Sequence, residues 1–175
     1  MKTKSVNPFT LETIHEYTFW TEAEIETGLA TATQSFRVWK GTPLRDRLEL
    51  VGRLAGILEE NKTRWGEVIT NEMGKPLRDS IAEIEKCETT CKFLSRQLEE
   101  WLAPEKVKSP TGNWEVVYEP MGVLLGVMPW NFPFWQVLRF AVPAIALGNT
   151  IVMKHASNVF GSSEAIEDAF LKAGF

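Results

Sequence analysis

Two short apolar runs, separated by a helix-forming segment, constrain the fold of this chain more than any other feature. The runs are residues 123–128 and 150–153, and neither alternates with polar residues. Continuous apolar runs of this length are typical of strands that a parallel sheet buries on both faces. Residues 134–147 fit a connecting helix, and another helix is expected near the carboxyl end. The order strand, helix, strand, helix over residues 122–175 therefore predicts an α/β fold with the start of a parallel sheet.

Residues 1–103 are predicted to form a helical layer against that sheet. Thr21 and Glu24 have the spacing of a capping box, which marks a helix start. Gly74 is placed to end a helix, since glycine readily adopts the left-handed conformation found there. Three further helix starts are predicted, at Thr42, Asn61 and Pro76.

The segment 104–121 between these two parts has a different character. Pro104 opens it, and residues 113–119 alternate between two faces, with Trp114, Val116 and Tyr118 on one of them. Such alternation predicts a half-buried strand.

Composition and charge exclude several classes of function. Hydrophobic residues make up 44% of the chain, which is enough for a packed core. A formal net charge of −4 gives no electrostatic reason to bind nucleic acid or an anionic membrane. Prolines, asparagines and Arg139 interrupt the most apolar stretch, so no membrane span is predicted. With no visible signal peptide and no disulfide framework, a cytoplasmic protein is expected.

Ligands of open α/β sheets bind beyond the carboxyl ends of the strands, and two turns of this chain qualify. The first is Pro129-Trp130-Asn131-Phe132-Pro133, where two prolines restrict the backbone around one amide. A fixed amide donor suits the stabilisation of a developing oxyanion. The second turn begins at Lys154, a donor placed where a ribose or phosphate would lie. On spacing alone, Asn131 is explained equally well as a turn former, and Lys154 as an exposed charge at a strand end.

The glycine pattern of an ordinary dinucleotide-binding fold is missing. No G-x-G-x-x-G follows the first apolar run, because Gly122 and Gly126 lie before and inside it. The sequence also contains no P-loop, no His/Cys cluster with metal-ligand spacing and no nucleophile elbow.

Three motifs in a fixed order carry a resemblance to a known family. They are Glu72-Met73-Gly74-Lys75-Pro76, Met128 with the proline-bounded turn that follows it, and Gly148-Asn149-Thr150-Ile151-Val152-Met153-Lys154. Together they resemble the aldehyde dehydrogenase superfamily, and the resemblance covers nearly the whole chain. Trp135-Gln136-Val137 and Lys154-His155-Ala156 look most like the succinate-semialdehyde dehydrogenase branch.

The resemblance implies a domain plan. Residues 1–103 would be the helical N-terminal part of the cofactor domain, and residues 104–121 a β-extension of the oligomerisation type. Residues 122–175 would be the first βαβα portion of a variant Rossmann-like NAD(P)-binding unit. The catalytic domain would be absent from this chain, which would be the N-terminal portion of the enzyme.

The resemblance also implies roles for individual residues. Asn131 corresponds to the amide that stabilises the oxyanion, and Lys154 to a contact with the adenosine ribose. The wall beside the nicotinamide and its ribose corresponds to Val127, Met128, Pro129 and Trp130. Many members carry a glutamate where this chain has Ser157, and that glutamate binds the ribose hydroxyls. Because a carboxylate there repels a 2′-phosphate and serine does not, NADP is expected to be accepted as well as NAD.

The family mechanism uses a cysteine nucleophile and a glutamate that activates water, and both follow later in family members than residue 175. Cys87 and Cys91 lie on a predicted apolar helix stripe and are expected to be inert.

The implied parent enzyme oxidises a small aldehyde, with succinate semialdehyde the favoured substrate, and forms a homo-oligomer. The chain alone is expected to be inactive. The alternative is a non-catalytic binding module, or a relic, of the same fold.

Overall fold

The computed structural model describes residues 2–175, which form six strands and five helices. The strands pair into three separate two-stranded sheets, β1 with β2, β3 with β4, and β5 with β6. The elements are β1 (Lys2–Val6), β2 (Thr13–Thr18), α1 (Glu22–Trp39), α2 (Leu44–Met73), α3 (Leu77–Trp101), β3 (Glu105–Ser109), β4 (Gly112–Val116), β5 (Val123–Val127), α4 (Trp135–Ala146), β6 (Thr150–Lys154) and α5 (Phe160–Ala173). Within residues 2–175, no helix has the length and apolarity needed to cross a membrane.

The carboxyl-terminal third of the chain is the predicted βαβα unit. β5 and β6 are parallel, in a register that runs from Val123 opposite Thr150 to Val127 opposite Lys154. α4 connects the two strands and α5 follows β6. The α/β class and the order of these four elements are therefore confirmed.

Asn149 ties the entry of β5 to the end of α4. Its Oδ1 accepts hydrogen bonds from the backbone N–H groups of Met121 and Gly122, at 2.7 and 3.0 Å. Its Nδ2 donates to the carbonyl of Ala144 at 3.1 Å. Because Asn149 is buried, these bonds satisfy an amide that would otherwise be costly to bury. The third sequence motif thus aligns the two parallel strands.

Helices α2 to α5 form the core. Gly66 lets α2 approach α3 closely, because a Cβ at this position would lie 2.8 Å from Cγ1 of Ile81. Fully buried side chains from α2, α3 and α4 fill the layer, among them Leu54, Leu58, Trp65, Ile84, Leu138 and Val142. Each such side chain contributes roughly 1.5–3 kcal/mol by leaving water.

The helix boundaries confirm some predictions and correct others. The capping box is present, with Thr21 Oγ1 accepting from Glu24 N and the Glu24 carboxylate accepting from Thr21 N. Gly74 ends α2 with a φ of 74°, as predicted. The predicted helix start at Asn61 is wrong, since α2 runs through it without a break. Asn61 Nδ2 donates to the carbonyl of Ile57 at 2.9 Å, so its amide is satisfied inside the helix.

Two antiparallel hairpins were not predicted as such. β1 and β2 lie in a segment that was expected to be helical. β3 pairs with β4, and all five residues of β4 are exposed. The prediction of a half-buried strand over residues 113–119 is therefore wrong in both its bounds and its burial.

One face of β5 is open. Leu125 and Val127 are 67% and 64% exposed, whereas Gly126 is buried against Met153 and Phe140. The prediction that this run is buried on both faces is wrong for the described residues 2–175, because the side chains of Leu125 and Val127 are left largely exposed.

Candidate functional site

The two candidate turns start side by side at the carboxyl edge of the parallel strands. Val127 and Lys154 are register partners at the ends of β5 and β6. Beyond them, the backbone N–H of Met128 donates to the carbonyl of Lys154 at 3.0 Å. The turn at residues 129–133 therefore leaves the sheet directly beside the turn that follows β6.

The predicted site residues differ in exposure. Lys154, Ser157 and Asn131 are exposed. The predicted nicotinamide wall is mixed: Val127, Pro129 and Trp130 are exposed, and Met128 is half-buried against the core. The structure thus gathers Asn131, Lys154 and the wall at one sheet edge.

A buried carboxylate closes the N-terminus of α4. Glu83 Oε1 accepts hydrogen bonds from the backbone N–H groups of Phe134 and Trp135, both at 2.9 Å. Its side chain is 1% exposed, and its other oxygen is paired with Lys75. In an ordinary dinucleotide-binding fold this helix N-terminus binds the pyrophosphate. Here a protein carboxylate already occupies it, so the N–H groups of Phe134 and Trp135 are not free to bind a phosphate.

Lys75 also contacts the turn itself. Its ammonium lies 3.9 Å from the centroid of the Phe132 ring, within the range of a cation–π interaction. Lys75 belongs to the first sequence motif and Phe132 to the second, so the motifs that carried the resemblance meet in space. Sequence reasoning missed both Lys75 and Glu83 as parts of this region. The sequence signal for Glu83 was its place beside Ile84, a residue of the apolar stripe of α3.

His155 holds the other side of the turn. Its Nε2 lies 2.9 Å from the carbonyl of Pro133, and its Nδ1 accepts from the N–H of Ala156 at 2.8 Å. Because a carbonyl can only accept, the proton lies on Nε2 and the ring is neutral. Burial lowers the pKa of His155 below its ordinary value of 6.5. The hydrogen bond to Pro133 and the charge of Glu83 partly oppose this shift, and the charge of Lys154 adds to it.

We expect the replacement His155→Gln to weaken the acid sensitivity of the protein. Because the folded pKa is depressed, the unfolded chain binds more protons as the pH falls below the ordinary value of 6.5, and stability falls with it. Glutamine has no such titration and can still donate to Pro133. Urea denaturation at several pH values from neutral to mildly acidic measures how steeply the free energy of unfolding falls with pH in each protein. An equally steep fall in both proteins would contradict the prediction.

A second buried carboxylate caps α5 in the same manner. Glu72 accepts from the backbone N–H groups of Gly161 and Ser162 at 2.7 and 2.8 Å, and from the Ser162 hydroxyl at 2.8 Å. The Ser5 hydroxyl donates to it at 3.2 Å, which fastens β1 to the same point. Burial raises the pKa of Glu72, and these hydrogen bonds partly oppose the shift.

The two cysteines are unsuited to nucleophilic chemistry. Cys87 and Cys91 are free thiols with no solvent exposure on α3. Burial, with a smaller contribution from Glu83, raises the pKa of Cys87 well above its ordinary value. Burial and the charge of Glu88 raise the pKa of Cys91 to about 12. Both thiols stay protonated at neutral pH, and a thiol in this state is a poor nucleophile.

Comparison with known proteins identifies the family. The family model described as "Aldehyde dehydrogenase family" matches residues 1–175. The chain belongs to the aldehyde dehydrogenase family. The resemblance in the three motifs is thereby confirmed.

Curated relatives in this family include succinate-semialdehyde dehydrogenases. A probable succinate-semialdehyde dehydrogenase (NADP+) of Synechocystis sp. is 39% identical over 175 residues, which is 100% of this chain and 38% of the relative. A succinate-semialdehyde dehydrogenase (NADP+) of Deinococcus radiodurans is 36% identical over 170 residues, covering 97% of this chain and 36% of the relative. The chain thus spans little more than a third of the length of these relatives.

A solved structure has the same fold. The succinic semialdehyde dehydrogenase of Streptococcus pyogenes, in complex with NADP+, superposes with a TM-score of 0.95 at 27% identity. The match covers 98% of this chain and 38% of that protein. The variant dinucleotide-binding fold of the family therefore accounts for the architecture.

Proposed function

We propose that this chain supplies the cofactor-facing half of the active site of an NAD(P)-dependent aldehyde dehydrogenase, which oxidises an aldehyde to its carboxylic acid. The observation that carries the proposal is the exposed Asn131 in a braced turn, directly beside the end of β6 and Lys154. Succinate semialdehyde is the proposed substrate, because the relatives named above carry that activity in their names.

In this proposal Asn131 is the oxyanion donor. A donor of this kind acts on the charge that develops on the aldehyde oxygen, and its effect depends on being held in place beforehand. The turn meets this requirement, since Glu83, Lys75 and His155 hold its second half. The buried thiols of Cys87 and Cys91 do not supply the nucleophile, so the catalytic cysteine and glutamate would come from outside residues 1–175.

The donors at the strand ends fit a dinucleotide. The exposed ammonium of Lys154 and hydroxyl of Ser157 match the ribose hydroxyls and phosphate of the adenosine half. The wall of Val127, Met128, Pro129 and Trp130 offers mostly apolar surface for a flat ring. When bound, NAD(P) supplies the oxidising nicotinamide. The α4 N-terminus is not available to its pyrophosphate, because Glu83 occupies it.

The domain plan belongs to the same proposal. The exposed β3–β4 hairpin, within residues 104–121, would be the extension through which subunits assemble into a homo-oligomer. Residues 1–103 and 122–175 would be the helical and βαβα parts of one cofactor domain. The free thiols Cys87 and Cys91 fit the reducing cytoplasm, where we place the protein.

The proposal is tested by assaying the protein expressed from its natural gene. We expect succinate semialdehyde to be oxidised with NADP+ at least as efficiently as with NAD+, and butanal, which lacks the distal carboxylate, to be a poorer substrate. The absorbance of the reduced nicotinamide follows the reaction. The variant Ser157→Glu should lose roughly tenfold or more in affinity for NADP+, equal to about 1.4 kcal/mol, and retain its affinity for NAD+.

Three outcomes would contradict parts of this proposal. A strong preference of the natural protein for NAD+ would refute the role of Ser157. Oxidation of butanal but not of succinate semialdehyde would refute the substrate. Binding of NADP+ without oxidation of any aldehyde would leave the non-catalytic binding module as the better description.

A further inference from the structure

The connection between α2 and α3 braces the candidate oxyanion turn. We propose that Glu83 and Lys75 are positioning residues that set the place of Asn131, an inference that rests on the function proposed above. Neither residue touches substrate in this proposal. Both act through the backbone and side chains of the turn at residues 129–133.

Glu83 fixes the end of the turn. One carboxylate oxygen accepts from two consecutive backbone N–H groups, those of Phe134 and Trp135, at 2.9 Å each. These are the residues at which the turn becomes α4, so their position determines where the turn enters the helix. Hydrogen bonds to an ionised acceptor are stronger than neutral ones, and this acceptor is shielded from water.

Lys75 completes the brace from the same side. Its ammonium pairs with the second oxygen of Glu83 and lies over the ring of Phe132, the residue directly after Asn131. The backbone that carries Lys75 is itself restricted. Gly74 has a φ of 74°, and a Cβ there would lie 3.0 Å from the ring of Pro8. One buried ion pair therefore contacts the turn at two points, Phe132 and the start of α4.

Glu72 is a buried carboxylate that caps a helix without contacting the turn. It caps α5 with two backbone hydrogen bonds and is buried to the same degree as Glu83. Its partners belong to β1 and α5, and they do not include the N–H groups of Phe134 and Trp135, where the turn joins α4. The two carboxylates therefore form a matched pair that separates positioning of the turn from support of the fold.

The test compares Glu83→Gln with Glu72→Gln in the protein expressed from its natural gene. We expect Glu83→Gln to lower kcat by about 10- to 100-fold, since a displacement of about 1 Å at a reacting centre has an effect of this order. The KM for aldehyde and the Kd for NADPH should stay within roughly threefold, because the ground-state contacts are kept. Glu72→Gln should lose comparable stability and keep its kcat.

A second variant and a second measurement keep the test decisive if Glu83→Gln folds poorly. Lys75→Met removes the ammonium and keeps the length of the side chain. On its own it should lower kcat by about the same factor as Glu83→Gln, and the two changes combined should lower kcat little beyond either single change, as expected for residues that act as a unit. Hydrogen–deuterium exchange should rise at residues 130–135 in the Glu83 and Lys75 variants, and at residues 159–163 in Glu72→Gln.

The outcomes distinguish this inference from the proposed function. If the natural protein oxidises no aldehyde, the proposed function fails, and the exchange pattern alone decides whether the brace exists. If the natural protein is active, and Glu83→Gln matches Glu72→Gln in kcat with no added exchange at residues 130–135, the positioning role is overturned.

Discussion

Replacing Asn131 by alanine in the protein expressed from its natural gene is expected to lower the kcat for aldehyde oxidation by about 100- to 1,000-fold, equal to a loss of about 3–4 kcal/mol in transition-state stabilisation. In the proposed role, the amide donates to the oxygen that becomes charged during the reaction. Because Asn131 is exposed and lies outside the core, its removal should leave the fold unchanged. Steady-state kinetics with succinate semialdehyde and NADP+, together with a thermal melt, measure both effects.

Two further variants sharpen this prediction. Asn131→Asp keeps the size of the side chain but places a carboxylate beside the developing charge, so it should be at least as inactive as alanine. Gln34→Ala removes an exposed amide from α1, away from the turn and from the β3–β4 hairpin, and should keep its kcat. A fall in kcat of less than about threefold for Asn131→Ala would mean that the amide does not stabilise the transition state, because an oxyanion donor contributes far more than this.

The part of the fold that could be predicted is the part whose signals are local. The apolar runs of β5 and β6 identify strands, and Gly148 after α4 has a φ of 96°, which few residues other than glycine adopt. The capping box of Thr21 and the glycine end of α2 are equally local. Each of these features depends on residues within a few positions of one another, so one sequence is enough to predict them.

The two hairpins could not be predicted for the opposite reason. β2 and β4 are short and largely exposed, so their sequences carry little of the apolar pattern that marks a strand. Their stability depends on a partner strand whose register no local pattern fixes. The helix start predicted at Asn61 was wrong for a related reason. Asparagine is common at helix starts, but inside a helix its amide can also donate to the carbonyl four residues before it.

The candidate site also has a part that could be predicted from the sequence and a part that could not. The turn containing Asn131 and the donor Lys154 could be placed at one sheet edge, because parallel strands end on the same side. The brace could not, since Lys75 and Glu83 are about fifty residues away along the chain from the turn they hold. The motif containing Lys75 is visible in the sequence, but nothing near it in the chain indicates that Lys75 contacts Phe132 and Glu83.

Trp65→Ala is expected to produce the largest loss of stability of any single change considered for this chain, about 3–5 kcal/mol. The indole is 1% exposed in the centre of the helical layer, and its ring centroid lies 5.9 Å from that of Phe134. Phe134 is the residue at which the candidate turn enters α4, and it is itself fully buried. The cavity left by alanine would therefore open directly beneath the turn.

The consequence should be visible in both stability and activity. Urea denaturation measures the free energy of unfolding, and Trp101→Ala is the control, because that indole is 51% exposed at the end of α3 and should change stability by less than Trp65. Since Phe134 loses its neighbour, the kcat of Trp65→Ala should also fall under conditions in which the protein is still folded, whereas that of Trp101→Ala should not.

A loss of stability below about 1 kcal/mol for Trp65→Ala would mean that the core can close over the missing ring, since the loss depends on how far a site collapses. A large loss of stability with unchanged kcat would mean that the ion pair of Lys75 and Glu83 holds the turn without help from the packing beneath it.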